Sequence, residues 1–455
     1  MRARRIAGLL VLAGAAAAAA AFVLIWRPAI TPIAPPPTES FSPERVADGG
    51  RLALVGDCNV CHTRPGGAPF AGGRALPTPF GTLYSSNITP DARTGIGSWS
   101  QPAFVRAMRE GVKRDGALIY PAHPYDHFTL LTDTDLAALY AFLMTRPPIE
   151  AATPASDLRF PFNHRTLLAG WNLLFLRAGA YRPDPAQSAE WNRGAYLTEG
   201  AGHCGACHAP RNLMGAEEKD RAFAGGVAEG WYAPALNQNS PALVPWTATS
   251  LFTYLRNGRE AEHGIAGGPM ADVVQNLRQA HEDDVRAIAV YVASLMVRPP
   301  PERSTHVRDL IAKTERDSVE RREAIARAQV NDLGEIIYAA ACALCHEPWI
   351  RNPPQNAGRN LALQTAVAAP DPANFIYTVL TGIHPLDDPS HTIMPDFAGA
   401  LTNAQIVDLA RYVRRTFSDQ PAWNDLAAAV ADARAALAEV RRPPNKTLAA
   451  SKSNN

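Results

Sequence analysis

The chain has 455 residues, with 44 Lys and Arg against 43 Asp and Glu and a formal net charge of +1. That length exceeds one hydrophobic core and predicts roughly two to four domains. The charge balance excludes nucleic acid as the main partner, and a hydrophobic content of 47% excludes wholesale disorder.

At the N-terminus, Arg2, Arg4 and Arg5 precede an uncharged apolar run, Ile6 to Trp26, followed by Arg27. Twenty-one apolar residues suffice to span a bilayer, and the arginine asymmetry directs the following chain outward. The expectation for residues 1–27 is a membrane anchor, with cleavage in the poly-Ala stretch as the alternative. A Pro-rich linker occupies 28–45.

Three units follow, at 46–147, 188–299 and 332–418. They are separated by a linker at 148–187 and a charged, helix-patterned linker at 300–331. The first linker contains an apolar stretch, Leu167 to Leu176. Residues 419–455 read as a C-terminal helix and a disordered tail.

The units share a register. Trp99, Gly111 and His123 are spaced by twelve, as are Trp246, Gly258 and Met270, and as are Pro370, Gly382 and Met394. Each unit opens with a helix-like segment carrying a glycine, namely Gly50, Gly194 and Gly334, where two helices can cross closely. Each closes with an amphipathic helix bearing an aromatic at one place: Phe142, Tyr291 and Tyr412. No alternating strand run stands out, and the expected fold class is all-α.

All six cysteines fall in three copies of one pattern: Cys58-Asn-Val-Cys61-His62, Cys204-Gly-Ala-Cys207-His208 and Cys342-Ala-Leu-Cys345-His346. Cys-x-x-Cys-His is the c-type haem attachment pattern. Two thiols on one helical turn bond one macrocycle, and the adjacent histidine presents its imidazole to the iron. Structural zinc would need a second ligand pair, and a redox dithiol would sit beside a βαβ pattern; neither is visible. Three haem c groups are therefore expected.

The sixth iron position separates electron transfer from oxygen or peroxide chemistry. Met270 and Met394 lie 66 and 52 residues after the first cysteine of their units. In the first unit the register position is His123, 65 residues after Cys58, with His127 as its rival. A second histidine makes haem one the lowest in potential, because methionine raises it. Trp99 and Trp246 could pack on a haem edge or in the core.

The chain resembles the tri-haem cytochrome c subunits of bacterial membrane-bound dehydrogenases, over roughly Val46 to Phe417. Asn87-Ile-Thr-Pro-Asp, Thr94-Gly-Ile-Gly-Ser-Trp99, Trp191-Asn-Arg-Gly-Ala-Tyr196-Leu and Gly268-Pro-Met270 carry the resemblance. It implies three tandem class I cytochrome c-like domains behind the N-terminal membrane anchor. It also implies an electron-transfer subunit rather than an enzyme, with the catalytic site on a partner. In the quinoprotein group the first-unit loop usually reads Tyr-Pro-Ala-Met-Pro-Tyr; here His123 replaces that Met. Tyr125-Asp-His127-Phe-Thr, Phe160-Pro-Phe-Asn and Leu168-Ala-Gly-Trp-Asn-Leu-Leu-Phe are similar to the group serving molybdenum hydroxylases.

The expected partner is thus a periplasm-facing molybdenum hydroxylase with an iron–sulfur subunit. The alternative is a PQQ-dependent alcohol, aldehyde or gluconate dehydrogenase. Electrons would leave to a quinone, a cytochrome or an oxidase. The expected location is the cytoplasmic membrane, with the bulk of the chain in the periplasm. A stand-alone haem enzyme is disfavoured, because every unit offers a sixth ligand.

Overall fold

The computed structural model describes residues 26–296, 301–327, 329, 332–347, 360–384 and 393–440. They form two compact units: residues 1–222 with 276–292, and residues 223–275 with 293–455. Most of the regular structure is helical, tied by short antiparallel ladders.

One helix crossing is built three times. Helix α1 (Pro43–Val55) crosses α2 (Asp133–Met144), and a Cβ added at Gly49 would lie 1.9 Å from the Ala138 carbonyl oxygen. Helix α3 (Leu168–Phe175) lies in the first linker. Helix α4 (Ala189–Tyr196) crosses α5 (Glu282–Leu295), with Gly194 2.0 Å from the Ala287 oxygen by the same measure. Helix α6 (Pro301–Ala326) is the second linker. Helix α7 (Leu333–Ala341) crosses α8 (Asn403–Phe417), with Gly334 2.2 Å from the Asp408 oxygen.

The aromatics expected at one place are the floor of each crossing. The Cβ atoms of Phe142, Tyr291 and Tyr412 stand 2.8, 2.7 and 2.8 Å from the same built positions. Backbone therefore meets backbone, and no side chain fits between. In the first pair the crossing glycine is Gly49, not Gly50, which meets only the Phe142 ring at 3.3 Å. Adjacent glycines lie about 100° apart on a helix, so only the structure tells which one faces inward.

The all-α expectation is corrected by seven short strands among the described residues. In the first unit β1 (Ala75–Thr78), β2 (Gly81–Tyr84) and β3 (Asp157–Leu158) pair antiparallel. In the second, β4 (Gly226–Ala228) pairs with β5 (Trp231–Ala233), and β6 (Arg259–Glu260) with β7 (Gly264–Ile265). Strands of two to four residues are too short to display a period-two pattern.

Among the described residues no helix is long and apolar enough to cross a membrane. The longest, α6, has 26 residues but is charged along its length. Residues 6–25 of the apolar run lie outside the described residues, as does the tail from 441.

These ladders account for the twelve-residue register. In each repeat a helix stops at a left-handed glycine, with φ of 64° at Gly111, 72° at Gly258 and 69° at Gly382. A short return follows. It is a Val112–Leu118 bridge in the first repeat, β6–β7 in the second and an Ile383–Met394 bridge in the third. Backbone bonds close it: Ile119 N–H to Gly111 O at 2.7 Å, Ala266 N–H to Gly258 O at 2.8 Å, and Ile383 N–H to Met394 O at 2.9 Å.

The charged linker also differs from a solvated helix. Val307, Thr314, Ser318 and Arg321 of α6 are buried, so one face of it belongs to the second unit's core.

Candidate haem-attachment sites

Each Cys-x-x-Cys-His segment forms one helical turn after its crossing helix. The histidine N–H bonds the first cysteine's carbonyl at 3.0 Å (His62 to Cys58), 2.9 Å (His208 to Cys204) and 3.0 Å (His346 to Cys342). One turn places both sulfurs of a pair on one side. All six cysteines are half-buried, and no disulfide joins them. Burial, then the second thiol of the pair, pushes Cys58, Cys204 and Cys342 up to about 12.

At the first site His62 Nδ1 lies 2.7 Å from the Ser86 carbonyl oxygen. That bond makes Nδ1 the donor, so Nε2 is the nitrogen that an iron would take. Burial draws the His62 pKa down, keeping the imidazole neutral.

His123 packs with its ring centroid 5.2 Å from Phe128. Burial, then the charges of His62 and His203, holds His123 down at about 3. Among the described residues its ring makes no hydrogen bond. His127 is differently placed. Its Nδ1 lies 2.7 Å from the Glu199 carbonyl oxygen, and its Nε2 lies 3.3 Å from Glu217 Oε1. Nδ1 is thus committed, and Nε2 faces the Glu217 carboxylate at ion-pair distance without a hydrogen bond. Asp126 lies close by, and the Lys219 ammonium sits on the other Glu217 oxygen, supplying counter-charge to this cluster.

No motif in the sequence points to Glu217. A Cβ added at Gly205, between Cys204 and Cys207, would lie 2.3 Å from its Oε1. The ligand loop of the first site is thus tied to the attachment turn of the second.

A further tie joins the two turns directly. Asp57 and His203, each immediately before a first cysteine, both adopt left-handed backbone, with φ of 49° and 37°. His203 Nε2 lies 3.4 Å from the Gly56 carbonyl oxygen, and Asn276 donates to Asp57 Oδ1 at 2.5 Å. A Cβ at Gly56 would stand 3.2 Å from the Ala201 carbonyl oxygen.

In the compact unit formed by residues 223–275 and 293–455, Met394 and Cys342 border the same core, which includes Tyr338, Ala343 and Leu409. Gly382 is required there, since a Cβ would lie 2.4 Å from the Met394 carbonyl oxygen. Met270 is half-buried near the start of the helix Pro269–Leu277, beside Gly268, which packs on Trp231. The turn of His346 is buttressed by buried Glu347. Its carboxylate accepts from Arg321 Nε at 2.9 Å and Tyr338 OH at 3.0 Å, and it bonds Ser318 as well. Trp99 and Trp246 pack within the protein. The Trp99 carbonyl accepts from Tyr140 OH at 2.7 Å, and Trp246 stacks on His263 with centroids 3.5 Å apart.

Paired half-buried thiols on one turn followed by a histidine, whose ring at the first site is oriented by a carbonyl, fit a covalently held haem c. Comparison with known proteins agrees. The family described as cytochrome c oxidase, cbb3-type, subunit III matches residues 329–413. A nicotinate dehydrogenase subunit of Pseudomonas putida is 45% identical over 93% of this chain, which spans only 34% of that protein's length. The fructose dehydrogenase cytochrome subunit of Gluconobacter japonicus is 33% identical, with 86% of this chain and 83% of the relative covered. The gluconate 2-dehydrogenase cytochrome c subunit of Pantoea cypripedii is 35% identical, with 82% and 86% covered. The chain belongs to this family of cytochrome c subunits, which transfer electrons in dehydrogenase complexes.

Proposed function

We propose that the chain holds three haem c groups and passes electrons from a molybdenum hydroxylase, with its iron–sulfur subunit, to a quinone, cytochrome or oxidase. The observation carrying this reading is the 45% identity to a nicotinate dehydrogenase subunit across 93% of the chain, against 32–35% for the sugar, gluconate and quinone-linked alcohol dehydrogenase subunits. The His123 substitution in the first-unit loop supports the same partner. The site is the periplasmic face of the cytoplasmic membrane, a reading supported by the arginine-led apolar run that marks export.

In this reading Cys58 with Cys61, Cys204 with Cys207, and Cys342 with Cys345 hold the macrocycles. His62, His123, His208, Met270, His346 and Met394 would be the residues offered to the irons. The haem c groups supply reversible one-electron chemistry. The protein's part is to fix each histidine tautomer and to choose the sixth ligand. His123 is preferred over His127 because His127 Nδ1 is bonded to the Glu199 carbonyl and its Nε2 faces the Glu217 carboxylate.

Purification of the native complex tests the reading. Three haems per chain, co-purifying molybdenum and reduction of the haems by an N-heteroaromatic or aldehyde substrate are expected. PQQ in place of molybdenum would move the partner to the quinoprotein class, and two haems per chain would refute the tri-haem reading.

A further inference from the structure

The first linker places an unusual surface on the first unit. Helix α3 is apolar on both sides. Inward, Leu168 and Ala169 pack on Val112 and Leu118, while Trp171 packs on Tyr125 and Ala216 and donates its indole N–H to the Met214 carbonyl at 3.2 Å. Outward, Leu173 is 61% exposed, and Leu167 and Leu174 are exposed beside it. A helix apolar all round needs cover on both sides.

The patch extends beyond the helix. Phe160 is 79% and Leu213 98% exposed, and Phe162 and Met214 are exposed as well. Phe162 lies against Phe80, with centroids 4.5 Å apart, and Phe80 in turn meets Gly215. Loop 160–164, α3 and loop 213–215 are therefore parts of one packed face.

Its charge selects the occupant. From Leu158 to Arg182 the chain carries Arg159, Arg165, Arg177 and Arg182 and no Asp or Glu. Arg165 is spent inside, donating to the Leu118 carbonyl at 2.8 Å, whereas Arg159, Arg177 and Arg182 are exposed. Aromatic and leucine side chains ringed by arginines match the acyl–headgroup boundary of an anionic bilayer.

We infer that this face, built from residues 158–182 and 213–215, lies in the headgroup region of an anionic membrane. It holds the first unit directly on the lipid surface. The inference rests on the membrane setting proposed above.

The test uses the full-length haem-loaded chain in vesicles of phosphatidylcholine, with or without phosphatidylglycerol. A bilayer-soluble diazirine is photolysed, and the carbene adducts are mapped by mass spectrometry. Adducts at Phe160, Phe162, Leu173, Leu174 and Leu213 are expected well above those at Val227 and Leu344, which are exposed apolar side chains elsewhere. Phosphatidylglycerol should raise them, and Arg159→Gln or Arg177→Gln should each lower them about 5-fold. Leu173→Glu with Leu174→Glu should remove them while the visible spectrum of the reduced protein is unchanged, which shows that the fold survives.

Adducts in residues 6–26 with none on α3 would overturn the inference and leave the membrane setting intact. Adducts nowhere would overturn both. Cross-linking of α3 to the dehydrogenase in native membranes, without lipid adducts, would assign the face to a protein partner and overturn the inference.

Discussion

His127 Nε2 stands 3.3 Å from Glu217 Oε1, with both side chains about 95% buried. One belongs to the loop that carries His123; the other follows the second attachment turn by nine residues. Breaking a buried pair from one side leaves a charge without compensation. Glu217→Ala should therefore cost about 3–5 kcal/mol in guanidinium unfolding, and Glu217→Gln should cost less because it keeps a hydrogen-bond acceptor.

The same pair sets a pH dependence. Burial opposes it, but the contacts with His127 and Lys219 hold Glu217 down at about 2. Its stabilisation is fully present above the ordinary value of 4.5 and is lost as pH falls toward about 2. His127 is held above its ordinary 6.5, against burial, by Glu217 and Asp126. Its share is full below 6.5 and is lost as pH rises through the raised value. The stability gap between wild type and Glu217→Gln, measured by thermal unfolding, should narrow toward both ends of that range.

His123→Met should raise the potential of haem one and shift its spectrum from bis-histidine to histidine–methionine character. His127→Asn should leave the ligation unchanged. Redox titration with low-temperature electron paramagnetic resonance separates the two. A low-potential haem that persists in His123→Met and disappears in His127→Asn would reverse the assignment.

Gly49→Ala, Gly194→Ala and Gly334→Ala each place a methyl 1.9–2.2 Å from a facing carbonyl oxygen. The helices must part, at about 1–3 kcal/mol or more. Gly50→Ala meets only the edge of Phe142 at 3.3 Å and should be mild. Thermal unfolding of the four variants should rank them in this way.

Glu347 is buried on Arg321, whose guanidinium it holds above its usual range in spite of burial. Arg321→Met should destabilise by about 3–5 kcal/mol, whereas Arg321→Met with Glu347→Gln should recover part of the loss. A double-mutant cycle on chemical denaturation measures the difference.

The attachment residues are legible in the sequence because their chemistry is local. Two thiols and a histidine within one turn need no tertiary contact to be recognised. The proposed sixth-ligand positions rest on the repeat, whose cause, a positive-φ glycine followed by a short ladder, is not legible in the sequence. Strands of two residues leave no periodic trace. The crossing glycine of the first pair is Gly49 rather than Gly50, a choice that packing makes, since the sequence offers both equally.

By itself the sequence determined the three Cys-x-x-Cys-His turns, the helices that close each repeat and the positions proposed for the irons. Each of these is a spacing along one chain, fixed by helical geometry. Only the tertiary structure decided that His127 is engaged elsewhere, that Glu217 takes the place of a side chain at Gly205, and that the turns before Cys58 and Cys204 touch. Those contacts join residues from 12 to about 150 positions apart. Such pairs form only when packing excludes water around them, and no local pattern encodes that.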